Sequence, residues 1–185
     1  MVQNALELSH KYISETVKAG DCVIDATAGN GNDTLFLANL VGDKGKVYAF
    51  DIQESAVENT KLKLYEYGVL DFCKVILDGH QNMKNYVSEK VKAVMFNFGY
   101  LPGGDKSVFT HKETSIPAIE AAMDLIAVDG IITLAIYYGG KTGFEEKDAL
   151  IEFLKTVDNK KFSVLYHNFI NYPNCPPLVV TISKC

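Results

Sequence analysis

The chain has 185 residues, 48% of them hydrophobic and 22% charged, a balance that suits one globular domain spanning 1–185 with a core of its own and argues against disorder. Its net charge of −5 argues against a broad basic face for nucleic acid, while leaving room for RNA held by a local patch. No apolar run reaches the roughly 18 residues of a membrane span and the start is not signal-like, so a soluble, cytoplasmic protein without membrane contact is expected.

The first predicted element is a helix from Ala5 to Val17, on which Leu6, Ile13 and Val17 recur at roughly helical spacing before Ala19-Gly20-Asp21 stops the pattern. Cys22 to Ala26 is a short apolar run ending in Gly-Asn-Gly, which reads as a buried strand feeding a tight turn, with a helix from about Asp33 to Val41 after it. The alternation continues as strand Lys46–Asp51, helix Glu54–Tyr67, strand Phe72–Leu77, a short helix near Gln81–Val87 and strand Ala93–Asn97. Such repeated β-α steps indicate a parallel sheet with helices on both faces. After a Gly-rich loop from Phe98 to Asp105 come a helix over Ile116–Val128, a strand over Gly130–Tyr137 and a helix over Phe144–Thr156. Phe162–Phe169 and Leu178–Ser183 are strand-like, with too few residues between them for a crossover helix, so an antiparallel hairpin is expected at one side of the sheet. Four cysteines, Cys22, Cys73, Cys175 and Cys185, lack the paired spacing of a zinc site and read as reduced thiols, with no metal expected.

In an open parallel sheet a ligand sits beyond the carboxyl ends of the strands. Asp25, Asp51, Asp78 and Asn97 all fall at predicted strand ends. Gly29 and Gly31 permit a tight turn and close approach to a ligand, and Asp51 lies 22 residues after Gly29, near the ~20-residue spacing that puts a carboxylate on a ribose. The third glycine of the dinucleotide fingerprint is replaced by Thr34, and Asp25 and Asp33 flank the turn. A pyrophosphate disfavours such anions, whereas a ligand bearing an ammonium and a sulfonium suits them, which points to S-adenosylmethionine. On this reading Asp25, Thr27, Gly29, Asn30, Gly31, Asn32 and Asp33 surround the cofactor, Asp51 and Gln53 face its ribose, Asp78, Gly79 and His80 border its adenine, and Asn97 closes the set. Asp33 reads equally well as a helix cap.

The acceptor side is expected at Asn97-Phe98-Gly99-Tyr100-Leu101-Pro102-Gly103-Gly104-Asp105. Methyl transfer is an in-line displacement, so the protein's tasks are alignment and keeping a lone pair free. Asn97 or the Phe98 carbonyl is placed to accept an N–H, and Tyr100 to stack on a base or face a cationic product. His111, between Lys106 and Lys112, is a candidate for a phosphate contact or for taking a proton, and Cys175 is a weaker candidate for covalent catalysis because no adjacent cation would lower its pKa.

Together, Asp25 to Thr34, Tyr48-Ala49-Phe50-Asp51, Leu77-Asp78-Gly79-His80 and Asn97 to Gly103 resemble the small bacterial family labelled putative rRNA methylases, over nearly the whole chain. The resemblance implies the Rossmann-like fold of class I S-adenosylmethionine-dependent methyltransferases, a seven-stranded, mostly parallel sheet with an antiparallel last hairpin. It also implies activity on the amine of 5-aminomethyluridine, often 2-thiolated, at the tRNA wobble position, with Asn97 to Gly104 beside that amine. Phe98, Gly99 and Tyr100, together with a local patch at Lys106 and Lys112, are expected on the RNA side. Gly99 departs from the Asn-Pro-Pro-Tyr form of other amino methyltransferases. An alkyl amine is mostly protonated near neutrality and must lose a proton before attack, for which Asp33, His111 and solvent remain open. The tRNA anticodon loop is the expected partner. The alternatives are ribosomal RNA or a small metabolite as acceptor, a protein that binds without turnover, a nucleotide-dependent oxidoreductase, and assembly as a homodimer.

Overall fold

A computed structural model describes residues 4–99, 110–138, 140–173 and 176–185. Seven strands form one sheet: β1 (Cys22–Asp25), β2 (Lys46–Asp51), β3 (Cys73–Leu77), β4 (Val91–Phe98), β5 (Ile126–Ile136), β6 (Phe162–His167) and β7 (Leu178–Lys184), in the order β3-β2-β1-β4-β5-β7-β6. Pairing is parallel from β3 through β5, and β7 runs antiparallel to both β5 and β6. The expected terminal hairpin is present, and its second strand takes the inner place. Burial explains the order, since Leu178 to Thr181 are buried whereas Leu165 and Tyr166 on β6 are exposed.

Among the described residues five α-helices cover the sheet: α1 (Ala5–Thr16), α2 (Asn32–Val41), α3 (Glu54–Glu66), α4 (Lys112–Leu125) and α5 (Gly140–Lys155). Neighbouring strand residues point to opposite faces and feed two cores. Val23, Val47, Ala93, Met95 and Ile131 pack with Ile13 of α1, Val17 just after it, and Leu37, Ala38 and Val41 of α2. Ile24, Phe50, Phe96, Ile132 and Leu134 pack with Ala118 and Ile119 of α4 and Leu150 and Leu154 of α5. The leading helix starts where Asn4 caps it, its side-chain oxygen accepting from the Glu7 N–H at 2.9 Å.

Three expected boundaries are corrected. Helix α4 begins at Lys112, four residues before the expected start, and ends at Leu125 with Pro117 inside it. A proline this near the amino end forfeits a single bond, to the Glu113 carbonyl, which the packing of Ser115, Ala118 and Ile119 outweighs. Strand β5 starts at Ile126, which pairs with Val91 before a register shift, after which Ala93 meets Ile131; Asp129 takes φ +57° in the irregularity. The short helix expected near Gln81–Val87 spans His80–Asn85 and is a 3-10 helix.

Candidate functional site

The turn after β1 is held from three sides. Ala26 N–H donates to the Met95 carbonyl of β4, Ala28 N–H to the Phe50 carbonyl of β2, and Gly31 N–H back to the Ala28 carbonyl. Gly29 at φ +53° and Gly31 at φ +74° occupy the left-handed region. A Cβ at Gly31 would lie 3.0 Å from both Cα and Oγ1 of Thr60 on α3, and the Thr60 hydroxyl donates to the Gly29 carbonyl at 3.1 Å. The glycines therefore serve both backbone geometry and the close approach of α3.

Asp51, at the end of β2, joins this turn to the next one. Its Oδ2 accepts from Gly29 N–H at 2.8 Å and its Oδ1 from Gln53 N–H at 2.9 Å. Asp78, just past β3, accepts from Asn82 Nδ2 (2.8 Å), the Tyr86 hydroxyl (2.8 Å) and Gly79 N–H (2.7 Å). These bonds, those from Asn82 and Tyr86 above all, hold its carboxyl below the ordinary carboxylate range. His80 is buried edge-on to Phe96 and Phe98 and donates from Nδ1 to the Ala26 carbonyl at 3.2 Å. Burial pushes its pKa down to about 4, which keeps the ring neutral at physiological pH.

A second cluster lies between α1, α2 and β4. The Asp33 carboxylate accepts from His10 Nε2 at 2.7 Å and from Asn97 Nδ2 at 2.6 Å, and the His10 ring stacks on Phe36 at 3.8 Å. Asn97 is further fixed by its N–H, which donates to Thr27 Oγ1 at 2.8 Å. A carboxylate only accepts, so Asn97 turns its amino group toward Asp33 and keeps its amide oxygen as an acceptor for something else. Asp25 is wholly buried beneath the turn, accepting from the Thr34 hydroxyl at 2.6 Å and Thr27 N–H at 3.1 Å. Burial, and then the neighbouring Asp33, push its carboxyl up to about 7.

Gly99 and Thr110 are pinned to each other. Gly99 N–H donates to Thr110 Oγ1 (3.0 Å), Thr110 N–H to the Gly99 carbonyl (3.1 Å), and the Thr110 hydroxyl to Glu146 on α5 (2.9 Å). Glu146 is buried and also accepts from the Ser115 hydroxyl at 2.7 Å. Gly99, at φ +150°, packs so closely that a Cβ there would sit 3.1 Å from Tyr137 Cβ.

These groups surround a cavity of about 590 Å³ at the carboxyl ends of β1, β2, β3 and β4. Of the expected residues, Thr27, Gly29, Asn30, Asn32, Asp33, Asp51, Gln53, Asp78, Gly79, His80, Asn97 and Gly99 line it. Asp25 and Gly31 stand behind the wall, and Phe98 is fully buried in the core, so their part is to shape the turn and the strand end. Thr110 and Thr114 line the cavity on either side of His111, which is exposed at the start of α4 and is not part of the wall. Lys112 is exposed and 3.9 Å from Glu113. Tyr100, Lys106 and Cys175 lie outside the described residues. Sequence reasoning missed Leu6, Thr110, Thr114 and Tyr137 in the wall, and His10 and Glu146 behind it. None belongs to a short motif, and only the three-dimensional convergence of α1, α4 and its leading residues, α5 and the end of β5 brings them here. Among the described residues no cluster of His, Cys, Asp and Glu could hold a metal, and no helix is long and apolar enough to cross a membrane.

A cleft of this size at the topological switch point, with carboxylates at successive strand ends and a reversed strand second from one edge, is the arrangement of class I methyltransferases, and the protein is an S-adenosylmethionine-dependent methyltransferase. The family model described as putative rRNA methylase matches residues 47–183, and the chain belongs to that family. A putative rRNA methylase structure from Clostridium thermocellum is 56% identical, with a TM-score of 0.99 and full coverage of both chains. A putative methyltransferase from Streptococcus mutans, solved with S-adenosylhomocysteine, is 39% identical with a TM-score of 0.91, again over both whole chains. The chloroplastic tRNA (mnm(5)s(2)U34)-methyltransferase of Arabidopsis thaliana is 36% identical over 98% of this chain and 70% of its own length.

Proposed function

We propose that the protein methylates the aminomethyl nitrogen of 5-aminomethyluridine, or of its 2-thio form, at the wobble position of tRNA. The similarity to the chloroplastic enzyme named for that nucleoside supports the reading. The observation in the structure that carries it is the Asp33–Asn97 pair on the cavity wall, a carboxylate and an amide oxygen side by side. Both are acceptors, and an alkyl ammonium is a donor with three N–H bonds.

S-adenosylmethionine, when bound, supplies a sulfonium methyl group open to in-line displacement by a nitrogen lone pair. The cavity fits it: acceptors line the strand ends, and the turn at Gly29 has no side chain to obstruct a close approach. Asp51 keeps lone pairs beyond those used by Gly29 and Gln53, so it would accept from the ribose hydroxyls, while Asp78, Gly79 and His80 would border the adenine. Thr27, Asn30, Asn32, Asp33 and Gln53 would complete the cofactor wall, with Asp25 and Gly31 fixing the turn from behind. Asn97 would accept from the acceptor amine, Gly99 and Tyr100 would face the base, and Lys106, Lys112 and His111 would meet phosphate. We read 1–185 as one domain working in the cytoplasm on an anticodon loop, alone or as a homodimer.

The test is incubation with labelled S-adenosylmethionine and tRNA from cells lacking this gene, followed by nucleoside mass spectrometry of the digest. Conversion of 5-aminomethyluridine to its N-methyl form is expected. Label in ribosomal RNA and none in tRNA would instead favour the activity named in the family's description.

A further inference from the structure

We infer that Asp33 takes the proton from the substrate ammonium and that His10, on the leading helix, is its positioning partner. The inference rests on the proposed alkyl-amine substrate, because only such an acceptor arrives mostly protonated. Asp33 is the carboxylate that lines the cavity while bonded directly to Asn97, the residue assigned to the amine. Asp51 and Asp78 line it too, but neither is bonded to Asn97; they hold the turns after β2 and β3, where the ribose and the adenine are placed. His111 is outside the wall.

His10 comes from a different element and has its own restraint. Its ring lies on Phe36 with an interplanar angle of 8°, so Nε2 is held toward Asp33 Oδ1 at 2.7 Å. The side chain keeps 28% of its surface exposed against 11% for Asp33, so the pair reaches from solvent to the cavity. A histidine N–H on one oxygen and an amide N–H on the other fix the carboxylate plane and leave its remaining lone pairs for the substrate. The other ionisable groups facing Asp33 are Asp25 beneath it and Tyr137 past β5.

In the step itself one N–H bond of the ammonium breaks and an O–H bond forms on Asp33, leaving a neutral amine with a free lone pair. After methyl transfer the nitrogen is a secondary ammonium, and Asp33 returns its proton to solvent when the product leaves. The number of protons and charges is conserved throughout.

The experiment is the pH profile of kcat, at saturating cofactor and tRNA bearing 5-aminomethyluridine, for the wild type, Asp33→Asn, His10→Gln and His10→Phe. Asn at 33 can retain both hydrogen bonds, accepting from Asn97 and donating to the other tautomer of His10, and S-adenosylhomocysteine-induced stabilisation checks that each variant is folded. Asp33→Asn is expected to lower kcat on the order of 100-fold at pH 7, and the deficit should shrink toward pH 9.5 as solvent supplies the free amine. His10→Gln, which keeps an N–H donor, should stay near wild type; His10→Phe, which keeps the stack and loses the donor, should lose activity with the same alkaline recovery. Asp33→Asn also removes the charge that helps raise Asp25 and Tyr137, so the two His10 variants, which keep that charge, supply the independent arm. A deficit equal at pH 7 and pH 9.5, or none, overturns the assignment while leaving the substrate reading intact. Failure of the wild type to methylate this tRNA overturns both.

Discussion

Replacing Asp51 by alanine separates its two tasks. In the free protein its carboxylate accepts from Gly29 N–H at 2.8 Å and Gln53 N–H at 2.9 Å. Bonds to a charged acceptor are each worth about 1.5–3 kcal/mol, and water reaches this half-buried site to replace part of what is lost, so Asp51→Ala should lower stability by roughly 2–4 kcal/mol. With cofactor present the proposed ribose bonds would disappear as well, and a further loss of about 1.5–3 kcal/mol corresponds to roughly a 10- to 150-fold weaker Kd. Asp51→Asn is the sharper probe. One of its two side-chain atoms facing the backbone is an amino group, so it sets donor against donor at either Gly29 or Gln53 and should be little better than alanine in stability. Urea denaturation without ligand measures the first effect, and calorimetric titration with S-adenosylhomocysteine the second. An Asp51→Asn variant as stable as wild type, or binding with unchanged affinity, would refute the reasoning.

Gly31→Ala should destabilise the protein by at least about 1–2 kcal/mol from its left-handed φ alone, with crowding against Thr60 added, and an unshifted urea midpoint would count against that account. His80 predicts a pH effect of definite sign. Its folded pKa of about 4 lies below the unfolded 6.5, so the stability it contributes is complete above pH 6.5 and lost as pH falls toward 4, by about 3 kcal/mol. Asp25, raised to about 7, works in the opposite sense, because the folded state then binds the extra proton between about pH 4 and 7. The comparison to make is therefore wild type against His80→Gln at pH 7 and pH 4, and a stability difference that does not change between them would exclude this role. Glu146→Ala removes the acceptor for the Thr110 and Ser115 hydroxyls and should cost about 2–3 kcal/mol in stability. Because the Gly99–Thr110 contact it braces is on the proposed acceptor side, methyl transfer should fall more than S-adenosylhomocysteine affinity, and an equal loss in both would show that the brace is not local.

Asp51, Asp78 and Asn97 were legible in the sequence because each closes a short apolar run, and a strand end in a parallel sheet is a place as well as a boundary. Gly29 and Gly31 were legible for the same reason, with spacing to Asp51 as a second constraint. Asp25 stands behind the cavity wall: a carboxylate at a strand end reads the same whether it faces the cleft or, as here, is bonded to Thr27 and Thr34 beneath the turn. His10 was not legible, because an amphipathic helix announces its buried face and says nothing of which polar residue on its flank will meet a side chain 23 positions later. Glu146 was hidden in the same way, a charged residue on a helix that folding turns inward toward two hydroxyls. The start of α4 was misjudged because Pro117 carries the signature of a first helical turn, and its tolerance farther inside depends on packing with Ala118 and Ile119. The position of β7 depends on a choice between two apolar runs that period-2 patterning makes equally eligible for the edge.

That inner place of β7 bears on how the protein is made. Ile131–Ile136 on β5 pairs with Leu178–Ser183, and β6 reaches the sheet only through the same segment. While the chain emerges from the ribosome, β5 therefore presents an open hydrogen-bonding edge beside a nearly finished cofactor pocket, and the strand made before β7 has nowhere to dock. An unpaired apolar edge of this kind is a template for association between nascent chains. Leu178–Lys184 acts as a fastener, and any change that delays its docking leaves the β5 edge open and β6 without a partner.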